Sequence, residues 1–516
     1  MWSKLYRNVF VGSLYHKRLL SLSCARRENL VSLIDLKDHQ KTLFRLPDNS
    51  EISYAQFGAV VDRFASKLLS LGIEPGDRVA SHVTKSVNAA ALYLATLKIG
   101  GVYLPLNSDY QDQELEYLLG NAQPKLFVSC REGAVQLGQR LQADSFAEQE
   151  FWSIAHAQKS LSPPTVDLPK EALAALLYTS GTTGRPKGAM IMHENLCSNA
   201  KTLCTIWDIT GGDVLLHVLP LFHVHGLFVA LNTILLAHGT VMLQSKFSVS
   251  ETIKLLPKCT LFMGVPTHYT RLLSDDTFDA KVTKSVRLFM SGSAPLEIAT
   301  WLQFKLKTGH EILERYGMTE GQMICANPYK GRRKAGTVGP PLPDVQIQIE
   351  DDTGMLLYKG PNTFKGYWNM PEKTAESFTS DGYFISGDAV MADSDGYVRL
   401  IGRQSDLIII GGFNVYPREV EDLILQIPGG FREATVFGVP HPDFGEVPVA
   451  VVVTPPVGQL HDRQELEGYI QGMLRKKLVK YKVPQKIFCM DDVPRNAMGK
   501  VQKNLLKDMY KDLFMY

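Results

Sequence analysis

A loop rich in glycine and hydroxyl residues, directly after a short apolar run, most constrains how this chain folds. The run at residues 172–178 is bounded on both sides and predicts a buried strand. Residues 179–188 read TSGTTGRPKG, with three glycines, four hydroxyl residues and two cations. Such a loop can turn backbone N–H groups, hydroxyls and charge toward phosphate oxygens. It is not a Walker A loop, since Arg185 and Pro186 follow Gly184, and a flexible surface loop is the alternative.

Apolar runs alternate with amphipathic segments on both sides of this loop. Helices are predicted over residues 53–71, 87–99, 111–119 and 227–236, and strands over residues 102–106, 125–129, 213–219, 260–265 and 287–290. This alternation predicts an α/β fold with a largely parallel sheet, in which ligands collect beyond the carboxyl ends of the strands. The more polar segment 139–168 contains Pro163-Pro164 and is expected to be a linker.

The length of 516 residues exceeds what a single hydrophobic core usually serves. Residues 381–388 are rich in turn formers, and a new βα pattern begins at Leu407. We therefore expect a large N-terminal domain over 28–404 with parallel-rich sheets, and a small, mobile α+β domain over 405–516.

Charge and cysteine content exclude several classes of protein. The net charge of +2 gives no reason to expect a nucleic-acid partner. The seven cysteines contain no C-x-x-C pair, so neither a disulfide framework nor a zinc site is indicated. The apolar stretch at residues 89–106 is interrupted by Lys98 and two glycines, so no transmembrane segment is expected.

The first 27 residues differ from the rest of the chain. They contain lysines and arginines but no acid before Glu28, with leucines and aromatics between serines. This pattern resembles a mitochondrial transit peptide and predicts a matrix location. Basic residues interrupt any apolar core, which disfavours a secretory signal, and a disordered basic tail is the remaining alternative.

The 179–188 loop resembles the phosphate-loop motif of the acyl-adenylate-forming (AMP-binding) superfamily. Further motifs of that superfamily follow in the same order, namely Tyr316-Gly317-Met318-Thr319-Glu320, Gly387-Asp388, Gly402-Arg403 and PRNAMGK at 494–500. The resemblance covers nearly the whole chain from about residue 30. Within the superfamily, residues 264–273, 314–320 and 411–417 are most similar to malonyl-CoA synthetases.

This resemblance implies a ligase that uses ATP, Mg²⁺ and coenzyme A. In the first half-reaction a carboxylate attacks the α-phosphate of ATP, which gives acyl-AMP and pyrophosphate. In the second half-reaction the thiol of coenzyme A displaces AMP. The implied acid is malonate, with methylmalonate as a related substrate, and no protein partner is implied.

The resemblance also implies a role for individual residues. The catalytic residues would be Lys500, His223 and Glu320, and Mg²⁺ would be bound by Thr179 and Glu320. Asp388 would bind the ribose and Arg403 the ribose and phosphate. The residues implied in binding ATP or coenzyme A are Thr179, Ser180, Gly181, Thr182, Thr183, Gly184, Lys187, Tyr316, Thr319, Asp388, Arg403, Gly411 and Gly412. Taken singly, a histidine is more often a satisfied core residue, and an arginine a solvated surface cation.

The residue type at position 315, an arginine, gives information about the identity of the substrate. Aromatic-acid ligases and luciferases that share the Tyr-Gly-x-Thr-Glu motif commonly carry glycine at this position, where it lines the acyl pocket. A buried, unpaired guanidinium is costly, so an arginine there predicts a pocket built for an anion such as the second carboxylate of malonate. Side chains expected to complete the pocket are Arg271, His225, Ser293 and Met318. The alternative is a structural ion pair of Arg315 with Glu314 or Glu297.

Other functions share parts of this pattern. The nearest is a CoA ligase for another short, medium-chain or aromatic acid. A luciferase-type oxidase would share the adenylating half-reaction, and an inactive acyl-binding protein would need neither Lys187 nor Lys500. The segment between Gln348 and Gly360 is shorter than the usual hairpin of the superfamily, which leaves its strand pairing uncertain.

Overall fold

The computed structural model describes residues 7–8, 28–179, 186–429, 431–454, 463–496 and 500–515. Its strands are β1 Arg7–Asn8, β2 Thr42–Arg45, β3 Glu51–Ser53, β4 Arg78–His82, β5 Val102–Pro105, β6 Leu126–Ser129, β7 Asp144–Ala147, β8 Leu173–Thr179, β9 Lys187–Met192, β10 Val214–His217, β11 Thr240–Leu243, β12 Leu261–Gly264, β13 Leu288–Ser291, β14 Leu313–Met318, β15 Gln322–Ala326, β16 Gln346–Ile349, β17 Met355–Lys359, β18 Phe384–Ala392, β19 Val398–Arg403, β20 Ile408–Ile410, β21 Phe413–Val415, β22 Glu433–His441, β23 Gly445–Val453 and β24 Lys486–Met490.

The α-helices cover the faces of these sheets. They are α1 Tyr54–Ser70, α2 Val87–Lys98, α3 Asp112–Ala122, α4 Glu132–Arg140, α5 Glu148–Ala157, α6 His193–Ile206, α7 Asn232–Leu236, α8 Val249–Leu255, α9 Pro266–Leu273, α10 Ala280–Thr283, α11 Ile298–Thr308, α12 Pro371–Glu376, α13 Pro417–Leu425, α14 Arg463–Leu474 and α15 Lys503–Tyr510. A π-helix spans His225–Leu231 and continues directly into α7. Among the described residues, no helix combines the length and apolar character needed to cross a membrane.

Two mostly parallel sheets form the centre of the large N-terminal part. The first has the strand order β7-β6-β4-β5-β8-β9, and the second has the order β15-β14-β13-β12-β10-β11-β2-β3. Only β9 in the first sheet, and β15 and β3 in the second, run antiparallel to their neighbours. The predicted α/β fold with a largely parallel arrangement is therefore confirmed.

The third sheet, β1-β16-β17-β18-β19, is antiparallel throughout. Its β16–β17 hairpin contains the shortened segment, and four residue pairs from Gln346↔Lys359 to Ile349↔Leu356 keep a continuous register. Strand pairing in the shortened segment is therefore regular, because a tight turn at residues 350–354 connects the two strands.

The C-terminal part has its own sheet and core. Strands β21, β20, β23 and β22 lie side by side, and β24 pairs with β23 in parallel. A separate apolar cluster, which includes Val420, Val436 and Ile470, packs on this sheet. The smaller α+β unit is confirmed, whereas the boundary near Ser405 and the mobility of this unit remain predictions.

Several local predictions match the structure closely. Helix α1 begins after Ser53, whose hydroxyl accepts a hydrogen bond from the Gln56 backbone N–H, while the Gln56 side chain bonds the Ser53 N–H. This reciprocal cap satisfies two donors at the helix start. Helix α2 ends at Lys98, one residue before the predicted end at residue 99.

Other local predictions are wrong for identifiable reasons. The expected linker at 139–168 contains β7 and α5, because Phe151 and Trp152 anchor α5 against the core despite its polar neighbours. The expected α-helix at 227–236 begins as a π-helix. The turn-rich segment 381–388 is a turn only at its start, because Phe384 to Asp388 form the first part of β18, where cross-strand pairing overrides local turn propensity.

Candidate active site

A cleft of about 1290 Å³ lies where strand ends from three sheets meet the C-terminal part. Its lining includes residues at or just after the ends of β5, β8, β13 and β14, residues 222–225 from the segment that follows β10, and Arg403 and Lys500. This is the position expected for a ligand site in an open α/β sheet. Of the predicted site residues, the lining includes Thr179, Lys187, His223, His225, Ser293, Arg315, Met318, Thr319, Glu320, Arg403 and Lys500.

One group of residues in the cleft contains those predicted to hold phosphates and metal. The Tyr367 hydroxyl donates a 2.9 Å hydrogen bond to Glu320 Oε1, and Lys187 Nζ lies 4.6 Å from the centre of the Tyr367 ring. Burial lowers the pKa of Lys187, an effect that the nearby Glu320 opposes. Thr179 ends β8 beside them. Five predicted loop residues, Ser180, Gly181, Thr182, Thr183 and Gly184, lie outside the described residues.

Asp388 is held between two donors beside the cleft. Its register partner Arg403, on the neighbouring strand β19, donates from Nε to Asp388 Oδ1 over 3.0 Å. The Tyr316 hydroxyl donates to Asp388 Oδ2 over 2.5 Å. The charge of Asp388 raises the pKa of Arg403. Gly387, at φ +74°, supplies the left-handed backbone that aims Asp388 at these partners.

Lys500 reaches the cleft from the C-terminal part. The Asn496 side chain accepts a 3.0 Å hydrogen bond from the Lys500 backbone N–H, and both residues line the cleft. Lys500 keeps exposed surface because the cleft is open to solvent. Enclosure by the protein, and then the charge of Arg403, lower the pKa of Lys500, while Asp388 and Glu320 oppose the shift.

Arg315, which also lines the cleft, is a buried cation that has no charged partner among the described residues. Its residue is 3% exposed, and its Nε and Nη2 atoms have no hydrogen-bond partner among the described residues. Burial lowers the pKa of its guanidinium to about 9, so the group is still charged near neutral pH. An unpaired buried charge is costly, which makes the part of the cleft beside Arg315 suited to an anion.

Two histidines stand next to Arg315. Burial, followed by the charges of Lys500 and Arg315, lowers the pKa of His223 to about 3, and the pKa of His225 is also well below its usual value. His223 Nδ1 accepts a 3.3 Å hydrogen bond from the His225 backbone N–H, which places the hydrogen of the neutral His223 ring on Nε2. His225 Nδ1 lies 3.2 Å from Ser293 Oγ. Neutral imidazole rings at these positions can donate hydrogen bonds to an anion without adding positive charge to the cleft.

The ion-pair alternative for Arg315 is not what the structure contains. Glu297 instead pairs with Arg418 of the C-terminal part over 2.7 Å. Glu314 accepts a hydrogen bond from the Leu296 backbone N–H, and burial raises the pKa of its carboxyl to about 8. Neither acid pairs with Arg315 among the described residues.

Three predicted residues are not brought to the cleft. Arg271 is exposed on α9 and does not line it, so the expected help from a second arginine is not supported. Gly411 and Gly412 form an exposed turn between β20 and β21, also away from the cleft.

Two residues that contribute to the site were missed by the sequence analysis. Tyr367 touches both Glu320 and Lys187, but nothing in its sequence surroundings distinguishes it from a core aromatic. Gly292 packs against the Arg315 guanidinium. The sequence feature that could have identified it is its position in the glycine-containing turn after a predicted strand.

Comparisons with known proteins agree with this geometry. Residues 23–368 match the family described as AMP-binding enzyme, and residues 419–500 match the AMP-binding enzyme C-terminal domain. A probable CoA ligase of Humulus lupulus, CCL8, is 36% identical over 84% of this chain and 79% of its own length. A malonate–CoA ligase of Arabidopsis thaliana is 35% identical over 86% of this chain and 79% of its own length.

A solved structure extends the likeness to three dimensions. The crystal structure of ATP-bound MatB from Rhodopseudomonas palustris superposes with a TM-score of 0.90 at 44% identity, covering 94% of this chain and 99% of that one. The two family matches, which lie in the expected order along the chain, and this shared fold show that the chain belongs to the AMP-binding enzyme family.

Proposed function

We propose that this acid–thiol ligase joins malonate to coenzyme A through a malonyl-AMP intermediate, with release of AMP and pyrophosphate. The observation that carries the proposal is Arg315, a buried guanidinium with two nitrogens that find no hydrogen-bond partner in the described part of the chain, in the cleft that His223 and His225 also line. The Arabidopsis thaliana relative described above, which is named a malonate–CoA ligase, supports the same acid.

The charge arrangement favours a substrate with two carboxylates. One carboxylate would face Lys500 and the His223 Nε2–H at the phosphate side, and the other would pair with Arg315. Arginine presents parallel N–H donors that match the two oxygens of a carboxylate. A hydrocarbon tail in the same place would leave the guanidinium without an anion, at a cost that a dicarboxylate avoids.

The cleft also suits ATP and a divalent cation. Glu320 and Thr179 offer the carboxylate and hydroxyl oxygens that Mg²⁺ prefers, and they line the same cleft as Lys187. Bound Mg²⁺ would neutralise charge that builds up on the phosphates during adenylation. Asp388 and Arg403 would hold the ribose. Coenzyme A would be the acceptor of the acyl group in the second half-reaction.

A panel of acids tests the proposal. Malonate, methylmalonate, acetate, butyrate and octanoate are compared by kcat/KM for thioester formation. A hydrogen bond to a charged group contributes about 1.5–3 kcal/mol, so malonate should exceed butyrate by roughly 10- to 150-fold. Arg315→Ala should erase most of this preference. The matched control is Arg140→Ala, at an exposed arginine on α4 whose partner is the exposed Glu116.

The outcomes separate the competing functions. A wild-type preference for a monocarboxylate, or a malonate preference that survives Arg315→Ala, would replace the malonate assignment with a ligase for another acid. Oxygen consumption that depends on ATP and acid, without thioester product, would point to the oxidase alternative. No thioester with any acid would favour the inactive acyl-binding protein.

A further inference from the structure

The position next to Arg315 across the sheet is a glycine with no room for a side chain. A Cβ atom built on Gly292 would lie 2.0 Å from Arg315 Nη1, 2.3 Å from Cζ and 2.7 Å from Nε. These three nearest atoms all belong to the guanidinium group. Van der Waals contact between such atoms requires about 3.5 Å, so a methyl group and the observed guanidinium cannot occupy their places together.

The sheet explains why the two residues meet. Strands β13 and β14 are parallel neighbours, and their last register pair joins Ser291 to Glu314. Gly292 and Arg315 follow these two residues, so they lie beside each other at the point where β13 ends and β14 continues. The Arg315 side chain crosses over Gly292 on its way into the cleft.

The backbone does not itself require glycine at this position. Gly292 is not among the glycines with positive φ, whereas the following residue, Ser293, has φ +70°. An alanine could therefore adopt the conformation of residue 292. The nearest obstacle to a side chain there is the guanidinium.

We propose that Gly292 is a specificity-determining residue, because its missing side chain provides the space in which the Arg315 guanidinium faces the acyl group. The inference rests on the proposed function and extends it to a residue that touches the substrate-binding arginine. An added methyl group would push the guanidinium by roughly 1 Å or more toward the cleft, into the place of the second carboxylate. A misplacement of that size lowers the reaction rate on the order of 100-fold when the reaction depends on precise positioning of the substrate.

A double-mutant cycle tests this steric coupling. Gly292→Ala, Arg315→Ala and the double variant are compared with the wild type by kcat/KM for malonate and for butyrate. Gly292→Ala should lower the malonate-to-butyrate ratio by roughly 10- to 100-fold, with the KM for ATP unchanged. In the Arg315→Ala background the same change should alter the ratio by no more than about two-fold, because the clashing group is gone.

A second glycine serves as the matched control. Gly133 is exposed on α4, and a Cβ atom built there meets nothing within 4 Å. Gly133→Ala should leave the malonate-to-butyrate ratio unchanged. The thermal unfolding midpoint of every variant shows whether a lost ratio reflects the pocket or the fold.

Each outcome bears on one claim. A wild type without a malonate preference refutes the proposed function. A wild type that prefers malonate and loses the preference in Arg315→Ala, but keeps it in Gly292→Ala, overturns only the role of Gly292. An equal effect of Gly292→Ala in both backgrounds also overturns it. Should Gly292→Ala be insoluble, recovery of a soluble protein in the double variant supports the clash, and failure to recover argues against it.

Discussion

Removal of the Tyr367 hydroxyl should impair adenylation while leaving the fold intact. The hydroxyl donates to Glu320 Oε1 over 2.9 Å, and both residues are almost fully buried. Tyr367→Phe deletes only this donor, because the ring that contacts Lys187 and packs edge-on against Phe364 is retained. The variant thereby isolates how much the orientation of the Glu320 carboxylate contributes.

The expected loss of activity follows from the type of hydrogen bond that Tyr367→Phe removes. A hydrogen bond to a charged group contributes about 1.5–3 kcal/mol, so ATP–pyrophosphate exchange with malonate should fall by roughly 10- to 150-fold in kcat/KM. If Glu320 helps to hold Mg²⁺, the concentration of Mg²⁺ at half-maximal exchange should rise as well. Thioester formation from supplied malonyl-AMP should change little, because that step does not involve the pyrophosphate group.

Tyr358→Phe is the control for loss of a buried hydroxyl. The Tyr358 hydroxyl is fully buried and has no hydrogen-bond partner in the described part of the chain, so its removal should leave exchange unchanged. If Tyr367→Phe slowed both half-reactions equally, or left the Mg²⁺ dependence unaltered, the positioning of Glu320 by Tyr367 would be refuted. A comparable loss in Tyr358→Phe would show that the effect is not specific to Tyr367.

Two further predictions concern the C-terminal part and the first residues. Lys500→Ala should reduce malonyl-AMP formation by about 100- to 1000-fold but largely spare thioester formation from supplied malonyl-AMP. Equal losses in both steps would contradict the hypothesis that the mobile C-terminal part presents Lys500 to the cleft for adenylation only. Because the pKa of Lys500 is lowered, adenylation should decline with rising pH earlier than the usual lysine pKa of 10.5 would predict. For residues 1–27 we propose mitochondrial import, so their deletion should leave purified activity intact and retain a fluorescently tagged protein in the cytosol, while an unchanged mitochondrial signal would reject the proposal.

Local sequence signals determined much of the architecture. Helix α1 follows from the Ser53 cap, and the central strands follow from short apolar runs bounded by glycine and polar turns. Their alternation was sufficient to predict the α/β fold, because each signal acts over a few residues and agrees with its tertiary context. The ordered motifs likewise placed Glu320, Arg403 and Lys500 in one site, and the structure brings these residues to one cleft.

Only the tertiary structure decided which neighbours these residues have. Two Arg315 nitrogens lack a partner among the described residues, and Arg271 stays exposed on α9; both facts depend on how β14 and α9 pack, which no local pattern encodes. Tyr367 and Gly292 resemble an ordinary core aromatic and an ordinary turn glycine until their contacts are known. The physical reason is that burial, charge pairing and free volume arise between segments far apart in the chain, whereas capping and periodicity arise within one.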